Sequence, residues 1–229
     1  MEWYPQNKEE LNSLLDELIK DKADKDIHGL LVPHAGYEFS GKIAGKAFGF
    51  LRKRKTDKAI VLGPSHYSGF EGIRVLEKSE TPLGKINILK HDFETIGYEH
   101  SVDNQIPFLQ KLGFKEILPL VVGEINNEGI KEIVKKILEI DAVYIFSTDL
   151  SHFLPYEEAV KKDKESIKII ENLDTDNFKN IDACGISPLL IMMHLCKSKG
   201  WKPHLIEYKN SGDIIEDKSK VVGYASFSF

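Results

Sequence analysis

Three histidines in this sequence each follow an apolar run directly. His34 ends LLVPH, His66 ends AIVLGPSH, and His152 ends VYIFSTDLSH with Asp149 just before it. A neutral imidazole is a good ligand for iron, copper or zinc, and it titrates near physiological pH. A His/His/Asp/His set therefore suits either metal binding or proton transfer. Cys184 adds a thiol in DACGISP, immediately before a helical pattern with Pro188 near its first turn. A thiol at a helix start is expected to have a lowered pKa, which makes it a better ligand or nucleophile. Cys196 sits instead inside LLIMMHLC beside Met192, Met193 and His194, where core filling is the expectation. Glu99-His100 opens EHSVDNQIPF, and Glu99 there either complements the helix dipole or belongs to the site.

For these residues to meet, the elements must bring strand ends together. The apolar positions Leu11, Leu14, Leu15, Leu18 and Ile19 predict an amphipathic helix over Asn7–Lys20, with Asn7 and Glu10 laid out as a capping box. Strands are predicted at Ile27–Val32, Lys58–Leu62, Ile73–Leu76, Ile86–Leu89, Ile117–Val122, Ala142–Phe146, His204–Tyr208 and Val221–Phe227. Ile73–Leu76 and Ile86–Leu89 read as a strand pair around the turn at Pro82 and Gly84. Pro119 predicts that its strand is bulged or at an edge. Helices are predicted at Gly41–Lys53, Glu99–Leu112, Glu128–Ile140, Tyr156–Asn172 and Ser187–Lys199, with a short one at Asp174–Asn180. Strands alternating with helices imply a single α/β domain over 1–229, with a mostly parallel mixed sheet and helices on both faces. In such sheets ligands bind beyond the carboxyl ends of the strands, which is where the three histidines fall.

Composition removes several function classes. The chain has 229 residues, a formal net charge of −5 and 41% hydrophobic residues, so there is a core to build and no basic field for nucleic acid or anionic lipid. No apolar stretch reaches the roughly 18 residues of a membrane span, and the first residues lack a signal-peptide layout. With only two cysteines, in a poor arrangement for a disulfide, a cytoplasmic protein is predicted. The scarcity of arginine among its 31 basic residues and the abundant Ile and Glu resemble hyperthermophile composition. No P-loop or dinucleotide fingerprint is present.

In order along the chain, VPHAGYEFSG, GPSHYSGF, TPLG, EHSVDNQIPFL, LPLVVG, STDLSH and ACGISPLL resemble the Memo (mediator of cell motility) family. The likeness runs from about Leu31 to the C-terminal VVGYASFSF and points to the archaeal and bacterial branch. It implies a fold similar to the class III extradiol dioxygenases, which are non-haem iron enzymes. The resemblance carries metal-ligand roles to His34, His66 and Cys184, with His152 and Asp149 as the acid/base pair. His100 and Tyr37 are the candidate substrate-binding residues. The dioxygenases use a glutamate as third ligand; here none takes that place by motif, and Cys184 stands there instead. A thiolate is softer and oxidisable, which favours copper or a differently tuned Fe(II). In prokaryotes the family resembles one part of a set with a radical-SAM protein and an AMMECR-type protein.

The leading expectation is thus a redox protein using Fe(II) or copper on an unidentified small molecule. The alternatives are a non-catalytic module that binds a peptide or its operon partners in the same cleft, and a hydrolase using Cys184 with a histidine.

Overall fold

The computed structural model describes residues 2–20 and 27–229. Asn7 caps α1 (Lys8–Leu18), its side chain accepting from the Glu10 amide at 3.0 Å, and Leu11, Leu15 and Leu18 turn inward as one stripe. After β1 (Gly29–Val32), α2 (Tyr37–Phe48) follows its N-cap Gly36 and begins four residues earlier than predicted, and Gly49–Lys53 tightens into a 3-10 turn. Gly45 lies where α2 meets the end of α1: a Cβ there would stand 2.5 Å from the Leu18 carbonyl oxygen.

The chain continues through β2 (Lys58–Pro64), β3 (Ile73–Leu76), β4 (Glu80–Thr81), β5 (Gly84–Lys85), β6 (Asn87–Ile88) and β7 (Thr95–Ile96). Then come α3 (His100–Asp103), α4 (Ile106–Lys111), β8 (Glu116–Val122), α5 (Asn127–Leu138), β9 (Val143–Ser147) and β10 (His152–Leu154). The chain closes with α6 (Tyr156–Glu171), α7 (Ile186–Lys199), β11 (His204–Asn210) and β12 (Val221–Ser228).

Strand order in the main sheet is β10-β12-β1-β9-β2-β8-β3-β7, with β11 on β12 and β6 on β8. The central four, β1, β9, β2 and β8, are parallel neighbours, flanked by antiparallel β12 and β3. Side chains alternate between the faces with the two-residue period of a strand. Leu31, Ile60, Leu62 and Phe146 meet α5 and α7 on one side, whereas Leu30, Val32, Val61 and Ile145 meet α1, α2 and α4 on the other. Both faces are covered, as the continuous apolar runs require.

Four local expectations are corrected. The strand with Pro119 is interior, between β2 and the β6/β3 side. Leu89 donates to the Ile117 carbonyl, so odd-numbered residues of β8 face away from β2, and the missing Pro119 N–H points to the gap where β6 gives way to β3. The β8 ladder with β6 ends at Ile88–Ile117 and that with β3 at Val75–Leu120, so Pro119 sits between the two, which is how an interior strand tolerates proline. Ile73–Leu76 and Ile86–Leu89 do not pair with each other: the turn at Pro82 joins β4 to β5, and β3 and β6 both dock on β8. The single helix expected over Glu99–Leu112 is two, α3 and α4. At the break, Asn104 Nδ2 donates to the His34 carbonyl and Gln105 Nε2 to the Pro33 carbonyl. His152 begins β10 and is not in a loop; this short strand was not predicted.

Candidate metal site

The register of β1, β9 and β2 aligns Val32 with Ser147, and Leu62 with Phe146, so the three carboxyl ends finish side by side. His34, Asp149 and His66 rise from those ends, and the turn into α7 brings Cys184 against them.

His34 is 2% exposed and fixed at every polar atom. Its amide donates to Asp149 Oδ1 at 2.8 Å, and its Nδ1 lies 2.9 Å from Ser147 Oγ. The Ser147 hydroxyl gives its one proton to the Ser101 carbonyl at 2.6 Å and accepts from Gln105 Nε2 at 3.1 Å. Nδ1 must therefore be the donor, and the lone pair of His34 is on Nε2. That nitrogen faces Cys184 Sγ at 3.2 Å.

His66 is oriented by a buried carboxylate. Glu99 Oε2 accepts from the His66 amide at 2.6 Å, and Oε1 accepts from His66 Nδ1 at 2.9 Å, which leaves Nε2 as the open nitrogen. A carboxylate behind an imidazole in this way sets its tautomer and raises its basicity as a ligand. Glu99 also accepts from the Ser101 amide as the cap of α3, so both roles weighed from sequence are filled by one side chain. Gly63 makes room for this turn, since a Cβ there would stand 2.5 Å from Ser101 Oγ.

Cys184 Sγ accepts from the Asp149 amide at 3.3 Å, and the Cys184 amide donates to the Asp149 carbonyl at 3.2 Å. One ligand atom each from His34, His66 and Cys184 lies within 4.8 Å of the other two. The two imidazoles have their spare lone pairs on Nε2 and the third donor is sulfur, so the set fits a soft or borderline metal ion. Beside Cys184 a cavity of about 260 Å³ opens between Pro64, Phe70, Glu124 and Ile186.

Electrostatics correct one expectation. Burial, reinforced by Asp149, pushes the Cys184 thiol up to about 12, the reverse of the lowering predicted for a helix start. Burial also drives His34 well below its ordinary value, aided by His66 and His100. A cysteine hydrolase needs a thiolate beside an imidazolium, and both groups are displaced the other way. Burial raises Asp149 against the opposing hydrogen bonds from His34 and Ala35. Glu99 is held well below the carboxylate range, because its contacts with His100 and His66 outweigh the cost of burial.

The remaining candidates divide. His152 is half-buried and close enough to couple electrostatically to both His34 and Asp149, although Asp149 spends Oδ1 on the His34 amide. Phe153, the next residue, has φ of 60° at a break in the β10–β12 register, a conformation costly for an aromatic residue and one that turns the chain beside His152. His100 joins the cluster, its ring 4.5 Å from that of His66 and stacked on Trp3 at 4.1 Å. Tyr37 does not: its ring is buried among Tyr4 and Phe108, and its hydroxyl donates to the Asn104 carbonyl at 2.7 Å. Through Asn104, Tyr37 supports the His34 loop from behind. Glu99 and Ser147 are the site residues whose part sequence left open or missed; Ser147 had one available signal, its place at the carboxyl end of an apolar run.

Fold and donor set together define an α/β protein with a His/His/Cys cluster at the ends of parallel strands. The chain belongs to the Memo family: residues 2–228 match the family described as Memo-like protein. It is 36% identical to a MEMO1 family protein of Aquifex aeolicus, with 99% of this chain and 96% of that protein covered. Similar proteins of the same description occur in Sulfurisphaera tokodaii, at 35% identity over 87% of this chain and 81% of the relative, and in Archaeoglobus fulgidus, at 32% over 99% and 96%. The mostly parallel mixed sheet flanked by helices agrees with the fold that the family resemblance implied. Among the described residues no helix is long and apolar enough to cross a membrane.

Proposed function

We propose that the protein is a metal-dependent redox protein of the cytoplasm, with Fe(II) or copper held by His34, His66 and Cys184. The observation that supports this most is the convergence of two tautomer-fixed imidazoles and a thiol within 4.8 Å, next to a cavity large enough for a small molecule. When bound, such an ion supplies one-electron or dioxygen chemistry. The chain's own part is to hold the donors, exclude water with a buried wall and move protons. His152 is the proton carrier, and Asp149, whose Oδ2 is 4.0 Å from His34 Nε2, offsets positive charge at the donor cluster.

The test is metal content after anaerobic purification, followed by loading with Fe(II) or Cu(I), for the native chain and for His34→Ala and Cys184→Ala. One tightly held ion per native chain, lost in both variants, is expected. A native chain that takes up no stoichiometric metal overturns the reading.

A second reading draws on the rim. Tyr67 and Tyr98 are 55% and 41% exposed and lie beside His66 and His100, a surface suited to binding without turnover. A peptide, or the radical-SAM and AMMECR-type proteins implied by the family, would be the partner. Intact binding by Cys184→Ala, with no oxygen uptake by the loaded native chain, would favour it.

A further inference from the structure

The cleft contains a second donor group that overlaps the first only at His66. His66, Glu99 and His100 each offer a ligand atom within 4.8 Å of the others. His66 Nδ1 and His100 Nδ1 lie 2.9 and 3.1 Å from the same oxygen, Glu99 Oε1. Donors about 2.0–2.1 Å from one ion and 90–109° apart are about 2.9–3.4 Å from each other. Two edges of such a polyhedron are already in place.

The independent sign of a ligand is His100. Its side chain is 9% exposed, and its Nδ1 has no hydrogen-bond partner, since the approach to Glu99 lacks the required geometry. A buried ring nitrogen without a partner is costly. An ion in contact with Nδ1 and Oε1 at once would remove that cost without moving either residue.

We infer that Glu99, His66 Nδ1 and His100 Nδ1 form a second cation site for a borderline divalent ion such as Zn(II), Co(II) or Fe(II). On binding, the ion replaces the His66 Nδ1 proton, which leaves to solvent, and no electron is transferred. His66 then bridges two ions, Nδ1 toward Glu99 and Nε2 toward His34 and Cys184. The donors of the new site are one oxygen and two nitrogens, so it lacks the sulfur that makes the first site soft. Occupation of the second site does not require Cys184.

Titration of the metal-free full chain with Co(II) under anaerobic conditions separates the two sites, because only the first gives a thiolate-to-cobalt charge-transfer band. The native chain is expected to bind two ions, one with that band. His100→Phe keeps an aromatic ring against Trp3 without a donor nitrogen; it is expected to bind one ion and retain the band. Cys184→Ser is expected to bind one ion without it. The inference is overturned if the native chain saturates at a single ion carrying the band, if His100→Phe titrates as the native chain does, or if Cys184→Ser binds none. A native chain with one ion, no thiolate band and loss of that ion in His100→Phe would instead overturn the proposed first site and leave this one standing. Circular dichroism of each variant confirms that it is folded.

Discussion

The two cysteines lie on either side of one helix start and share one property: burial pushes both thiols up to about 12. Their surroundings differ completely. Cys196 is fully buried near the C-terminal end of α7 among Met192, Met193 and Leu195, and burial is the only influence on it. Cys184, two residues before α7, has an imidazole nitrogen at 3.2 Å, a backbone amide at 3.3 Å and a carboxylate nearby. A raised pKa therefore does not distinguish the two thiols; the polar groups around the sulfur do. Under the proposed function, Cys184 would stay protonated until a cation takes the place of its proton, which suits a ligand and not a free nucleophile.

The largest effect that could break this comparison is on metal affinity. Cys184→Ser is expected to weaken binding of Cu(I) or Fe(II) at the first site by at least about 100-fold, because a thiolate donor is replaced by a neutral hydroxyl. Cys196→Ala is expected to leave it unchanged. Equal losses in competition titrations with a chromophoric chelator would show that the two thiols are not different in kind. Glu99→Gln comes next. It keeps the size of the side chain but weakens the acceptor behind His66, and a drop of about 10–100-fold in affinity is expected. Unchanged affinity would mean that the Glu99–His66 pair does not tune the ligand.

Much of this contrast is legible in the amino-acid order, because it depends on local features. LLVPH, AIVLGPSH and VYIFS are apolar runs with a punctuated end, and a parallel sheet gathers such ends at one rim. The embedding of Cys196 in LLIMMHLC likewise needs nothing beyond its neighbours. What was not legible depends on contacts distant in sequence. Glu99 reaches His66 across 33 positions because Gly63 lets α3 approach β2. The thiol of Cys184 is raised by burial, reinforced by a carboxylate 35 positions away, which opposes the helix-start effect read from DACGISP. Pro119 reads as an edge residue since the sequence does not reveal which side of the strand its nitrogen faces. The β10 strand is three residues long and turns at Phe153, too short and irregular for a periodic signal.

A smaller effect sharpens the comparison through pH. The folded pKa of Cys196 is about 12 against an ordinary value of 9.0, so below pH 9 the thiol is protonated in both states and its contribution is fully present. Between pH 9 and 12 the unfolded chain releases the proton and the folded chain holds it, so stability falls as pH rises, by up to about 1.4 kcal/mol per unit for one such thiol. In chemical denaturation of the metal-free protein, Cys196→Ala is expected to cost about 1 kcal/mol at pH 7 and to lose less stability than the native chain from pH 9 to 11. Parallel pH profiles for the two proteins would contradict the burial argument. The same titration with Cys184→Ser tests whether the polar surroundings of Cys184 alter the slope.

The smallest effect concerns what supports the Cys184 side of the contrast from behind. Tyr37 donates to the Asn104 carbonyl, and Asn104 donates in turn to the His34 carbonyl, so the phenol is two hydrogen bonds from the donor cluster and does not line the cavity. Tyr37→Phe removes one buried hydroxyl and preserves the ring that rests on Phe108. A cost of about 1 kcal/mol in unfolding free energy is expected, the net value of one such bond. Metal affinity is expected to shift by less than about threefold, because Asn104 still holds the His34 loop and Ser147 still fixes the imidazole. A large rise in KM for a substrate, once one is identified, with stability unchanged, would instead return Tyr37 to the substrate-binding role expected from the sequence. A substrate contact and a strut thus differ in which of two measurements moves.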